Sequence, residues 1–194
     1  MKLIVCENYE EMSEKAAEII KEQVVKKPDS VLGFATGSTP VGTYDKLAEM
    51  YKKGELDMSG VTSFNLDEYY PISNDSDQSY HCFMERKLFG RVNITNDKIN
   101  MLSGEAEDPS EECERYEKRI EEAGGIDLQI LGIGRNGHIG FNEPDTDLEA
   151  KTHLTELSSD TIEANSRFFE NVDLVPTHAP TMGISTNFKS KKIN

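Results

Sequence analysis

Val31-Leu32-Gly33-Phe34-Ala35-Thr36-Gly37-Ser38-Thr39-Pro40 carries a β-rich run through a turn of small residues and directly into a helix. Val31 to Ala35 is a strand candidate. Gly37 frees the backbone of the turn, Ser38 or Thr39 can cap the helix, and Pro40 suits its first turn. The helix is expected to run from Pro40 to about Lys53. A strand followed at once by a helix is the repeating unit of a parallel sheet covered by helices, so this stretch predicts an α/β fold.

The alternation continues on both sides. Upstream, Lys2 to Glu7 reads as a first strand, and Glu10 to Lys26 carries Met12, Ala16, Ile19, Ile20 and Val24 at helical spacing until Pro28-Asp29 breaks the pattern. Downstream, the spacing predicts a strand from Val61 to Leu66, a helix from Ser79 to about Phe89, a strand from Ile99 to Leu102 and a charged surface helix from Ser110 to Ala123. Leu128 to Ile133 is the most apolar strand candidate and is expected at the centre of the sheet. Asp160 to Phe169 reads as helix and Thr181 to Ser185 as strand. Pro180, just before that strand, is at odds with it, because proline removes a ladder donor. No repeat, low-complexity tract or linker interrupts residues 1–194, which reads as one domain.

Composition narrows the function classes. The apolar share is 36 % and no apolar run approaches the length of a membrane span. The N-terminal residues turn polar too soon for a secretory signal, which makes the cytoplasm the expected location. Cys6, Cys82 and Cys113 are scattered and form neither a metal-ligand cluster nor a disulfide framework. The formal charge of −15 opposes binding to nucleic acid or an anionic membrane. A phosphate ligand would therefore need a locally positive pocket of backbone amides and a few basic side chains.

Four segments could carry chemistry. The turn at Gly37, Ser38 and Thr39 exposes amides at the positive end of a helix, an anion site in its own right, although it lacks the spacing and the lysine of a Walker loop. Phe64-Asn65-Leu66-Asp67-Glu68-Tyr69-Tyr70 places paired carboxylates where a strand ends, which is where open parallel sheets bind ligands. Asp67 or Glu68 could act there as a general base. In Leu131-Gly132-Ile133-Gly134-Arg135-Asn136-Gly137-His138-Ile139-Gly140-Phe141-Asn142-Glu143-Pro144, glycines alternate with polar groups and allow Asn136, His138 and Glu143 to converge. Histidine passes protons both ways near neutrality, and a carboxylate neighbour orients it. The glycine spacing excludes a dinucleotide fingerprint. Finally, Ala164-Asn165-Ser166-Arg167-Phe168-Phe169 puts Arg167 on a helix, with a fork of donors suited to phosphate.

In this order and at these separations, the four segments resemble the glucosamine-6-phosphate deaminase family, and the likeness runs from the first strand to about Ile193. The resemblance implies a Rossmann-like three-layer fold with a mainly parallel sheet, and conversion of glucosamine 6-phosphate and water into fructose 6-phosphate and ammonia. His138 would then move the proton that opens the sugar ring, oriented by Glu143 and assisted by Asn136. Asp67 would remove the proton at C2 and return it at C1. Gly37, Ser38, Thr39 and Arg167 would hold the phosphate. Neither metal nor cofactor is implied; the expected partner is the small amino-sugar phosphate, and a homo-oligomer is compatible with the family.

The chain departs from the family pattern in places. Asn136 stands where some members carry aspartate. His153 and Thr155 stand where allosterically regulated members hold basic residues, which speaks against activation by an amino-sugar phosphate. After Asn194 the family would continue into a further sheet strand, a loop whose lysine contacts the phosphate, and closing helices; their absence would bare a sheet edge. The alternatives are a non-catalytic sugar-phosphate-binding domain, an inactive short relative, or a sugar-phosphate lactonase, against which the presence of Asp67 argues.

Overall fold

In the computed structural model, which describes residues 2–145, 148–166, 169, 171 and 174–194, helix α1 spans Tyr9–Lys26. Asn8 caps it by accepting the Glu11 N–H at 2.9 Å. Glu10 and Glu11 lie at its positive end and Lys26 in its last turn, the arrangement a helix dipole favours. Strand β1 (Val31–Phe34) follows, then α2 (Val41–Lys52), β2 (Thr62–Asn65), α3 (Tyr80–Lys87), β3 (Ile99–Asn100), α4 (Pro109–Glu122) and β4 (Leu128–Gln129). The order in the sheet is β3-β2-β1-β4, every pairing parallel, with Leu32 opposite both Ser63 and Leu128.

Alternation along β1 divides the core between the two sheet faces. Leu32 and Phe34 pack with Ala17 and Ile20 of α1, Tyr44 and Leu47 of α2 and Met84 of α3. Val31, Ala35 and Phe64 pack with Tyr116 and Ile120 of α4. Burying a Leu, Ile, Phe or Met side chain among these contributes roughly 1.5–3 kcal/mol. Tyr116 also satisfies its hydroxyl, which donates to the carbonyls of Asn65 at 2.8 Å and Asn100 at 3.0 Å. The three-layer α/β architecture is the one the sequence predicts.

A second, antiparallel pair, β5 (His153–Glu156) and β6 (His178–Thr181), follows, with α5 (Ser159–Ser166) between its strands and α6 (Ile184–Phe188) after it. The far edge of β6 lies along the segment after β2. There the Glu68 N–H donates to Pro180 O (3.2 Å), Tyr70 N–H to His178 O (2.8 Å) and Met182 N–H to Leu66 O (2.8 Å). Among the described residues no helix is long and apolar enough to cross a membrane.

Four expectations need correction. Lys2 to Glu7 forms no strand: Leu3 and Val5 are 80 % and 82 % exposed, and β propensity without a partnering ladder does not make a strand. Leu128 to Ile133 is neither six residues of strand nor central, because the strand is only Leu128–Gln129 and β1 and β2 occupy the middle of the four-stranded order. The last strand is His178–Thr181 rather than Thr181 to Ser185, so Pro180 lies inside it. Its missing N–H is on the side of the 66–70 segment rather than of β5, so the β5–β6 ladder loses no donor, and on that side its carbonyl still accepts from Glu68. The cap expected from Ser38 or Thr39 is also absent: Pro40 holds the N-cap position without a side-chain hydrogen bond.

The outer edge of β4 is lined by residues 191–194. Gln129 N–H donates to Lys192 O and Leu131 N–H to Asn194 O, both at 2.9 Å, and Gln129 bridges Ile193 in parallel. Asp127 pins this segment, accepting from Lys27 Nζ (2.6 Å), Lys191 Nζ (2.7 Å) and the Val31 N–H (2.8 Å). Burial opposes its charge, but Lys191, Lys27 and the amide prevail and hold its carboxyl down at about 2.

Candidate active site

The carboxyl ends of β1 and β2 and the loop after β4 converge on Asp67. Chain direction in a parallel sheet brings these ends to one rim. Asp67 is only 5 % exposed, and its Oδ1 has no hydrogen-bond partner among the described residues. Burial first, and then the charge of Glu68, push its carboxyl up to about 7, against the pull of a hydrogen bond from the Thr36 side chain. A carboxyl poised there can both take and return a proton near neutral pH.

Glu68, the other half of the acidic pair, has a different task. It is fully buried and accepts the N–H groups of Tyr69 (2.9 Å), Tyr80 (2.9 Å) and His81 (3.0 Å), while His81 Nδ1 lies 2.8 Å from it. Two of those amides open α3, so the carboxylate sits at the positive end of that helix. It thereby fixes Tyr80, whose ring packs between Tyr69 (4.8 Å) and Phe141 (6.2 Å, stacked). Burial first, then Tyr69 and Asp67, raise the Tyr80 phenol well above its usual value.

The glycine-rich loop supplies the second group. Asn136 Oδ1 accepts from the His138 N–H at 3.2 Å and lies 2.7 Å from His138 Nδ1; Asn136 Nδ2 donates to Glu143 Oε2 at 2.6 Å. Glu143 is held in turn by the hydroxyls of Thr161 (3.1 Å) and Ser158 (3.4 Å) at the start of α5. An amide oxygen only accepts, so Nδ1 carries the hydrogen and the neutral ring keeps its lone pair on Nε2. His138 and Glu143 are 4.0 Å apart, with Asn136 linking them. The ring lies directly over Gly134, where any Cβ would come within 2.2 Å of it. The loop is seated by Phe141 N–H donating to Thr181 Oγ1 (3.2 Å) and by Asn142 Nδ2 donating to Met182 O (2.8 Å).

Gly37, Ser38 and Thr39 form the turn between β1 and α2, with Gly37 at φ +95°, a conformation other residues rarely adopt. Ser38 and Thr39 are exposed. Arg167 lies outside the described residues. The fold brings the sequence candidates Asp67, Asn136, His138 and Glu143 to one rim, together with Thr36, Tyr80, Ser158 and Thr161, which sequence reading does not single out. Thr36 stands inside the quoted turn motif; the other three carry no local signal.

A family model described as glucosamine-6-phosphate isomerases/6-phosphogluconolactonase matches residues 7–160. The chain is 58 % identical over 193 residues to the glucosamine-6-phosphate deaminase of Thermoanaerobacter sp. (strain X514), covering all of this chain and 76 % of that one. It is 54 % identical to the enzyme of the same name from Halothermothrix orenii, covering 80 % of it. A solved structure described as a monomeric glucosamine-6-phosphate deaminase superposes with a TM-score of 0.96 at 44 % identity, over 100 % of this chain and 80 % of that one. A 6-phosphogluconolactonase from Thermotoga maritima shares the fold, with a TM-score of 0.69 at 24 % identity over 93 % of this chain and 75 % of that one.

Proposed function

Because the chain belongs to the family of glucosamine-6-phosphate isomerases and 6-phosphogluconolactonases, and matches deaminases along its whole length, we propose that it is a glucosamine-6-phosphate deaminase in which Asp67 and His138 divide the proton transfers. It converts glucosamine 6-phosphate and water into fructose 6-phosphate and ammonia. His138 Nε2 accepts the proton of the C1 hydroxyl and delivers it to the ring oxygen, breaking the C1–O5 bond. The Asn136–Glu143 pair holds the ring in the tautomer that can do this. In the open chain Asp67 removes the proton at C2, giving an enolamine, and returns a proton at C1. The product imine at C2 then adds water and expels ammonia, leaving the ketone.

The observation that carries this reading is the sealed setting of Asp67, whose carboxyl is held near 7 beside a loop bearing a base of fixed tautomer. An aldose–ketose shift needs one group for the ring oxygen and another beside C2. The Gly37–Thr39 turn is assigned to the phosphate, with Arg167 as its cationic partner. The experiment is ammonia release from glucosamine 6-phosphate by the purified chain beside an Asp67→Asn variant: saturable release that the substitution abolishes supports the assignment.

A further inference from the structure

Tyr9, the first residue of α1, is separated by some thirty positions from the turn it touches. Its hydroxyl lies 3.1 Å from Ser38 O and 3.0 Å from Thr39 O, and it accepts the Gly42 N–H at 2.8 Å. One hydroxyl hydrogen serves both carbonyls while a lone pair takes the amide. The contact is close by construction: a Cβ on Gly42 would come within 2.9 Å of Tyr9 Cε1 and 2.4 Å of Ser13 Oγ, so α1 and α2 meet only because residue 42 is glycine.

The hydroxyl sets the direction of a peptide group. In a planar trans peptide the carbonyl and the following N–H point opposite ways, and Tyr70–Pro71 is the only cis bond among the described residues. With Ser38 O turned toward Tyr9, the Thr39 N–H is turned away from α1, to the opposite side of the turn. The same hydroxyl occupies the Gly42 amide, so that amide is committed to the tyrosine. Ser38 O also accepts the Val41 N–H, but at 3.4 Å, so the tyrosine at 3.1 Å is the shorter of the two bonds that hold this carbonyl, and Gly37 at φ +95° leaves the backbone just before it free to turn.

The geometry points to Tyr9 as a positioning residue for phosphate recognition: its hydroxyl locks the Ser38–Thr39 peptide with the Thr39 N–H directed outward as an anion donor. This rests on the assignment of the 37–39 turn to the substrate phosphate. The ligand class is a phosphate monoester. Tyr9 makes no contact with it and acts through the turn.

The test compares Tyr9→Phe, which keeps the ring and removes only the hydroxyl, with Gly37→Ala, which strains the turn itself. Inorganic phosphate serves as a competitive inhibitor, and KM and kcat are read for glucosamine 6-phosphate. Tyr9→Phe is expected to raise KM and the phosphate inhibition constant together by about five- to tenfold, the scale of one hydrogen bond, with kcat lowered no more than about twofold. A purely structural role would lower the melting temperature without that split. If Gly37→Ala weakens phosphate inhibition and Tyr9→Phe does not, the role of Tyr9 is overturned while the phosphate site stands. If neither substitution changes phosphate inhibition, the assignment of the turn falls and the inference with it.

Discussion

Gly140 packs against Asp67 so closely that a methyl group on it would lie 3.3 Å from the carboxylate Oδ2 and 2.9 Å from Thr181 Oγ1. Its φ of +61° is left-handed as well. This one residue joins the loop bearing His138 to Asp67, just beyond the end of β2. Gly140→Ala should therefore act on both, through backbone strain of about 1–2 kcal/mol and through displacement of the loop. The expected result is a loss of at least about tenfold in kcat/KM, because a small misplacement is costly in catalysis. Steady-state kinetics with a thermal melt checks it; wild-type kcat/KM would show that the loop and Asp67 are not coupled.

The elevated Asp67 carboxyl predicts two pH dependences. Activity needs the ionised form, so kcat/KM should fall about tenfold per pH unit below about 7. Stability has the opposite sign. The folded chain keeps this proton from the ordinary carboxylate value up to about 7, so stability falls as pH rises through that window and levels off above it. An Asp67→Asn variant carries no charge to bury, and its melting temperature should exceed wild type at pH 8, the advantage shrinking toward pH 5. Melts at both pH values decide this.

Glu68 raises Asp67 less than burial does, so Glu68→Gln should move the acid limb of kcat/KM downward by only part of the full displacement. The amides of Tyr69, Tyr80 and His81 would lose a carboxylate acceptor, which should lower the melting temperature as well. A lower melting temperature with an unmoved limb would assign Glu68 to anchoring α3 alone.

Asn136→Ala removes the acceptor that keeps the hydrogen on His138 Nδ1. Ring opening can be isolated in an Asp67→Asn background, where interconversion of the substrate anomers, followed by magnetic resonance, reports only that step. Adding Asn136→Ala there should slow interconversion by about ten- to a hundredfold, within the range of positioned acid–base catalysis. An unchanged rate would remove Asn136 from the step.

Elements whose signal is local were legible. α1 and α4 follow from apolar spacing, and β1 and β2 from short apolar runs bounded by turns, within one or two residues of their ends. Elements defined by a partner were not. Lys2 to Glu7 resembles a strand but pairs with nothing described, whereas β5 carries the polar run His153-Leu154-Thr155-Glu156 and exists through its register with β6. The site divides the same way. Asp67, Asn136, His138 and Glu143 stand in recognisable phrases, while Tyr9, Tyr80 and Thr161 reach the rim only through the fold. The separate duties of Asp67 and Glu68 also needed the structure, since burial and hydrogen-bond partners distinguish two adjacent carboxylates that sequence treats alike.

The most direct test of the central claim is the rate of ammonia release from glucosamine 6-phosphate by the 194-residue chain and by its Asp67→Asn variant, with folding of both verified by thermal melt. The account predicts saturable release by the wild type and a loss of at least about a thousandfold in the variant, the scale of a general base on carbon. A variant within tenfold of wild type, or a folded wild type that releases no ammonia, would contradict it.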